Sequence, residues 1–224
     1  MVASQPRDAM DIALAHLSSL GFAPKTIVDS GAAVGSWSIK ASAYFPGAQF
    51  YLFEPLVENE RYLKPLYQSD SRFHYFLTAL GAQAGESSIY VHPDHDGSSV
   101  LIWDGQEIER RRAIPMTTLD QMIEAELVKA PDLMKLDVQG YELEVMKGAR
   151  RALESAQIFI VEVNLYEFSH GCPRVHDVIT FFAAHNFYLF DVAGMLRRPY
   201  DNSLAQMDLV FLSASSPLAS NRWN

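Results

Sequence analysis

Residues 25–55, KTIVDSGAAVGSWSIKASAYFPGAQFYLFEP, constrain the fold of this chain more than any other stretch. A short apolar run, Thr26, Ile27 and Val28, ends in Asp29. A turn of small residues, Gly31 to Gly35, follows, with Ser36 behind it. A helical pattern then runs to the Pro46-Gly47 break, and a second apolar run closes on Glu54-Pro55. Strand, glycine turn, helix, strand, acid is the layout of a nucleotide-binding βαβ unit. Small residues at the first strand's end let backbone approach a ligand closely, and the next helix aims its free amides there. The spacing is G-x-x-x-G and not the dinucleotide G-x-G-x-x-G, so a tight turn with no ligand stays open as the alternative. Two strand-end acids beside the turn, Asp29 and Glu54, favour a ligand with cationic and hydroxyl groups. Glu54 stands where a carboxylate accepts hydrogen bonds from ribose.

The rest of the chain continues the alternation. Helices are expected over 6–20 (Ala9, Ile12, Ala13, Leu17 and Leu20 inward), 36–44 (Ile39 and Ala43 inward) and 57–67, where Pro65 interrupts or ends the pattern. Others are expected over 118–126, 141–154 and 176–185. In the 141–154 helix, Leu143, Met146 and Ala149 would face inward, with Glu142, Glu144, Lys147 and Arg150 in solvent. Strands are expected at 26–29, 50–53, 73–80, 86–92, 114–117, 132–138, 157–163, 187–192 and 207–212. Strands alternating with helices imply a doubly wound, mostly parallel α/β sheet, and the final pair suits an antiparallel finish. Residues 1–24 form an N-terminal helical extension, 25–213 the main domain, and 214–224 a serine-rich tail expected to fray.

Bulk properties exclude several classes. A 224-residue chain of globular composition fits one domain with a sizeable core. A net charge of −9 argues against nucleic acid as partner. The run Arg110-Arg111-Arg112, with Arg197-Arg198, is either solvated loop charge or a grip on an anionic group. The single cysteine, Cys172, forms no internal disulfide and fits a reducing compartment. With no leader-like apolar segment and no membrane span, a cytoplasmic protein is expected. The polar stretch 92–106 reads as a loop or lid. Within it His92 and His95, with Asp94 and Asp96, could suggest a metal site. No matching Cys or His pair is near, so no metal is expected.

VDSGAAVGSWS and FEP resemble the first motifs of class I S-adenosylmethionine-dependent methyltransferases. MKLDVQGYELEVMKGA at 134–149, with Ala79-Leu80-Gly81, Thr118-Leu119-Asp120 and Val161-Glu162-Val163, is similar to the FkbM family among them. The resemblance covers residues 26–164. It implies a Rossmann-like, doubly wound sheet of seven strands, mostly parallel with an antiparallel last strand. It also implies S-adenosylmethionine as cofactor and a hydroxyl acceptor on a small molecule or glycan. By the same resemblance Asp29, Gly31 and Gly35 line the methionine part of the cofactor, with Ala33 and Ser36 in the same turn. Glu54, followed by Pro55, binds both ribose hydroxyls. Ala79 and Leu80 lie against the adenine, and Asp137 faces the sulfonium. The chain departs from the family at Ala33, where a polar residue is usual, and at Ser30, where an apolar one is.

Read as residues alone, Asp137 and Glu162 each end a buried strand at the sheet's carboxyl edge. Such an acid is a general base for a hydroxyl or a cap for the turn that follows. His170 is either a proton acceptor beside the substrate or a surface histidine, and Tyr166 and Phe168 either floor a pocket or pack. Two other functions remain open at this level: an NAD-dependent oxidoreductase and a non-catalytic binding protein on the same fold. The oligomeric state stays open too.

Overall fold

A computed structural model describes residues 8–92, 98–101, 110–167 and 169–219. Helix α1 (Ala9–Ser19) begins at Asp8, whose carboxylate accepts from the Asp11 amide at 2.8 Å. Its buried face is Ala13, Leu14 and Leu17, while Ile12 and Leu20 are exposed, so the inward stripe is rotated from the one expected. Next come β1 (Thr26–Ser30), α2 (Ser36–Tyr44), β2 (Gln49–Phe53), a single turn (Val57–Asn59) and α3 (Glu60–Ser69). Helix α2 buries Ser38 and Ala41, and Ile39 and Ala43 face solvent. Pro65 lies inside α3 and does not end it, and Leu63 of that helix is buried.

The expected strand at 73–80 is two strands in two sheets: β3 (Phe73–Phe76) and β4 (Ala79–Leu80). Then follow β5 (Gly85–Tyr90), β6 (Arg111–Thr117), α4 (Leu119–Glu124) and β7 (Leu133–Leu136). The helix expected over 141–154 is also two, α5 (Glu142–Lys147) and α6 (Arg150–Ser155). The break has two causes. The Asp120 carboxylate caps α6 from outside, accepting from the Arg150 and Arg151 amides at 3.0 and 2.9 Å. Gly148 also passes so close to other backbone that a Cβ there would lie 2.1 Å from the Gly81 carbonyl oxygen. The chain ends with β8 (Ile158–Asn164), α7 (Val175–Ala184), β9 (Phe187–Arg197) and β10 (Leu204–Ser213). The last two strands are longer than expected and form a hairpin.

The main sheet has seven strands in the order β3-β2-β1-β7-β8-β10-β9. Only β10 runs against its neighbours. Strand order reverses between β1 and β7, and a crevice opens at such a point in an open α/β sheet. One face buries Val28, Phe53, Leu136, Val145, Phe159 and Phe182 in a common core. The other buries Leu14, Leu17, Ile27, Ala41, Ile160 and Val210. A second sheet of three strands, β4-β6-β5, carries its own small core of Ala79, Ile89, Ile114 and Met116 beside the crevice. The tail is tied down through residue 219. Ser216 donates to the Gln157 side chain at 3.0 Å, and Leu218 and Ala219 pack against the second core. No described helix is long and apolar enough to cross a membrane.

Candidate active site

The carboxyl ends of β1, β2 and β7, with β4 and the small sheet, enclose a cleft with about 560 Å³ of atom-free space, part of it open to solvent. The β1 and β7 ends are tied together, since the Asp137 amide donates to the Ser30 carbonyl at 3.0 Å. Gly31 is where they come closest. It sits at φ +81°, and a Cβ there would lie 1.9 Å from the Asp137 carbonyl oxygen. The Gly31 and Ala32 amides both donate to the Phe53 carbonyl, which joins the turn to β2 as well.

Of the residues singled out as cofactor-binding, Gly31, Ala33, Glu54, Pro55, Ala79, Leu80 and Asp137 line this cleft. Ala33 adopts φ 46°, and its amide donates to Glu54 Oε2 at 2.9 Å. The Leu56 amide donates to Glu54 Oε1 at 2.8 Å. Glu54 is thus fixed by backbone at both oxygens, and the Asn59 side chain hydrogen-bonds to it as well. Burial pushes its carboxyl above the usual range, and these two amides oppose the shift.

Three of that set stand behind the cleft and not in it. Asp29 is fully buried and accepts from the Ser38 hydroxyl at 2.6 Å, so it anchors α2 to β1. Gly35 takes φ +81° at the start of α2, where a Cβ would press on Leu63 and Leu66 of α3. Its lack of a side chain serves helix packing. Ser36 is exposed on the first turn of α2.

The acids near the sheet edge form one network. Lys135 Nζ donates to Asp137 Oδ2 at 2.8 Å, and Gln139 Nε2 donates to Asp137 Oδ1 at 3.1 Å. Glu162 is hydrogen-bonded to Asp137, and Gln206 Nε2 donates to Glu162 Oε1 at 2.6 Å. Burial and the Asp137 charge push the Glu162 carboxyl well above its usual range. Asp137 moves the other way: burial opposes its charge, but the Lys135 ammonium and the Glu162 and Gln139 hydrogen bonds hold it below. The two groups are thus pushed apart, Asp137 toward its ionised form and Glu162 toward its neutral one. Burial works against the Lys135 charge, yet Asp137 and Asp29 together hold its pKa above the usual value. Asp137 keeps 29% side-chain exposure, so it is reachable from the cleft.

Glu142 corrects the expectation of a solvated face. It is 1% exposed, and its Oε1 accepts from the Val138 and Gly140 amides at 3.1 Å each. It pins the loop that carries Asp137 and Gln139. Burial pushes its carboxyl up to about 7. Glu144 and Lys147 do pair at the surface, as the helical spacing implies. His170 is brought to no part of the cleft. It is fully exposed, with the Glu167 carboxylate 3.8 Å from Nδ1. Arg112 pairs with Glu58 at 2.6 Å and Arg198 with Asp201 at 2.6 Å, while the Arg198 guanidinium lies over the Tyr166 ring. His95, Asp94, Asp96 and Phe168 lie outside the described residues.

Lys135, Gln139, Gln206 and Asp208 complete the network without having been singled out. Lys135 could have been found, because a lysine inside the apolar run DLMKLDV must bury its charge and so needs an acid. Gln206 and Asp208 come from a strand far along the chain, and only the β8–β10 pairing, Asp208 opposite Glu162, brings them in.

Comparison with known proteins places this chain among the methyltransferases. The description "Methyltransferase FkbM domain" matches residues 29–189, most of the chain, and the chain belongs to that family. This sets the oxidoreductase alternative aside. A hexuronic acid methyltransferase, AglP of Haloferax volcanii, is 44% identical over 45 residues, which span 20% of this chain and 19% of that protein. Among solved structures, a putative O-methyltransferase from Klebsiella pneumoniae superposes with TM-score 0.52 at 13% identity, covering 96% of this chain and 84% of that one. The N-methyltransferase NodS from Bradyrhizobium japonicum gives 0.51 at 9%, covering 91% and 94%. A precorrin-6y C5,15-methyltransferase from Geobacter metallireducens gives 0.50 at 10%, covering 95% and 92%. At such identities the likeness shows the fold alone.

Proposed function

We propose that this protein transfers a methyl group from S-adenosylmethionine to a hydroxyl of a small molecule or glycan. The observation that carries the reading is the meeting, in one cleft, of a backbone-fixed acid, Glu54, an apolar wall and a second strand-end acid, Asp137. Glu54 suits two vicinal hydroxyls. Ala79 and Leu80, with Ile89 and Tyr141 beside them, suit a flat heteroaromatic ring. Asp137 lines the same cleft as Glu54 and would face the charged end of the cofactor. The residues therefore fit the cofactor, which when bound supplies a methyl carbon already activated for transfer. What remains for the chain is to align the acceptor and take its proton.

Asp137, ionised beside Lys135, is the group that accepts a hydrogen bond from the acceptor hydroxyl. When the hydroxyl oxygen takes the methyl group and the carbon–sulfur bond breaks, the hydroxyl proton would pass to Asp137. Glu162, Gln139 and Gln206 hold that carboxylate in place. A groove lined by Met10, Gly194, Met195, Gln206 and Asp208 reaches Glu162 from the other side and offers the acceptor a way in. A sugar acceptor is favoured by the 45-residue likeness to the hexuronic acid methyltransferase.

Calorimetry with S-adenosylhomocysteine and with NAD tests the cofactor. Binding of the first and not the second is expected, and Glu54→Ala should weaken it by about tenfold or more. Binding of NAD alone would overturn the reading. Transfer of a labelled methyl group to a panel of sugars and small alcohols tests the acceptor, and Asp137→Asn should cut kcat by roughly a hundredfold. An undiminished rate in that variant removes Asp137 from proton transfer.

A further inference from the structure

Ser30 is the last residue of β1, the central strand of the crevice, and it lines the cleft. Side chains alternate along a strand. Asp29 turns toward α2, where Ser38 holds it. Ser30 therefore turns to the opposite face, level with Phe53 of β2 and Leu136 of β7. Phe53 also lines the cleft. Ser30 is 1% exposed, and its hydroxyl has no hydrogen-bond partner among the described residues. No other described residue lining the cleft carries such an atom.

A buried hydroxyl without a partner costs roughly 1–3 kcal/mol relative to a satisfied one. A chain built only for stability would place alanine or valine there, since the neighbouring face is apolar. We propose that the Ser30 hydroxyl is a ligand-binding group, satisfied when the nucleoside ligand enters. It pairs with a polar atom in the part of the ligand between the ribose held by Glu54 and the group facing Asp137. The proposal rests on the cofactor reading above and adds to it a residue on the floor of the site. Two ligand portions carry such atoms, the ribose and the amino-acid end. Both offer oxygen or nitrogen partners to a hydroxyl, which donates one hydrogen bond and accepts others.

The test uses Ser30→Ala with two ligands, S-adenosylhomocysteine and adenosine, read by calorimetry and by thermal unfolding. The free variant should melt at or above the wild-type temperature, because an unpaired buried polar group has been removed. Its dissociation constant for S-adenosylhomocysteine should rise about tenfold, with a smaller ligand-induced rise in Tm. If adenosine binding weakens equally, the partner is on the ribose. If only S-adenosylhomocysteine weakens, it is on the amino-acid end. Unchanged affinity for both ligands overturns the proposal. So does a free variant that melts clearly below wild type, which would mean that the hydroxyl already has an internal partner. Failure of the wild-type protein to bind S-adenosylhomocysteine at all is a different outcome, and it overturns the cofactor reading itself.

Discussion

Glu142→Gln isolates a buried carboxyl whose work is structural and whose cost depends on pH. In the fold, Glu142 Oε1 accepts from two loop amides, while Oε2 is buried with no partner among the described residues. Burial raises the pKa from 4.5 to about 7, with a smaller push from the Asp137 charge. The folded state thus holds a proton that the unfolded chain releases between these two values. Stability from this group is fully present below pH 4.5 and is lost as pH rises through about 7. At 1.36 kcal/mol per pKa unit, the loss is roughly 3 kcal/mol. Glutamine keeps the accepting oxygen and has no proton to lose. Urea unfolding followed by circular dichroism at several pH values should show variant and wild type equally stable near pH 4.5. The variant should lead by roughly 3 kcal/mol at pH 8. Glu54, Asp29, Glu162 and Asp208 are also raised by burial and tilt both curves, so the difference between the two curves is the quantity to read. A difference that stays constant from pH 4.5 to 8 would refute the buried, proton-holding role.

Other substitutions test the frame around the site. Gly31→Ala should destabilise by roughly 2–5 kcal/mol in urea unfolding, since it places a Cβ against the Asp137 carbonyl at a left-handed φ. A variant as stable as wild type would mean that the β1–β7 approach is looser than the structure has it. Lys135→Met should cost roughly 3–5 kcal/mol at neutral pH, because it leaves the buried Asp29 and the half-buried Asp137 without their cation. That cost should shrink as pH falls and the carboxylates protonate, and a pH-independent cost would refute the pairing.

The sequence displays the repeating part of this protein. Alternation of apolar runs and helical patterns marks the parallel strands, because each element's period is local and survives in the chain itself. The glycine turn and the acid at the end of β2 are legible for the same reason, being features of one βαβ unit. The DVQGYELEV segment, through its resemblance, pointed to the family that the comparison then showed. The elements that came out differently all depend on partners far along the chain. The helix after β7 breaks because Asp120 caps its second half, and β4 leaves the main sheet to pair with β6. Glu142, which the helical period places in solvent, folds back onto amides of the preceding loop. No periodicity can register such a reversal.

The site divides in the same way. Gly31, Glu54, Ala79, Leu80 and Asp137 sit at strand ends, and strand ends can be read from sequence. Which of them share a cleft is settled by the strand order, and that order sends Asp29 and Gly35 to packing duties behind it. The protonation of Asp137 and Glu162 is purely tertiary. It needs Lys135 from two residues earlier, Glu162 from the next strand and Gln206 from an antiparallel strand beyond. Charge interactions act through space over a few ångströms, so only the assembled sheet brings these groups together and pushes their carboxyls in opposite directions. The unpartnered Ser30 hydroxyl belongs here too. In the sequence it is one small residue between the strand-end acid and the glycine turn, and only the assembled sheet buries it at the cleft.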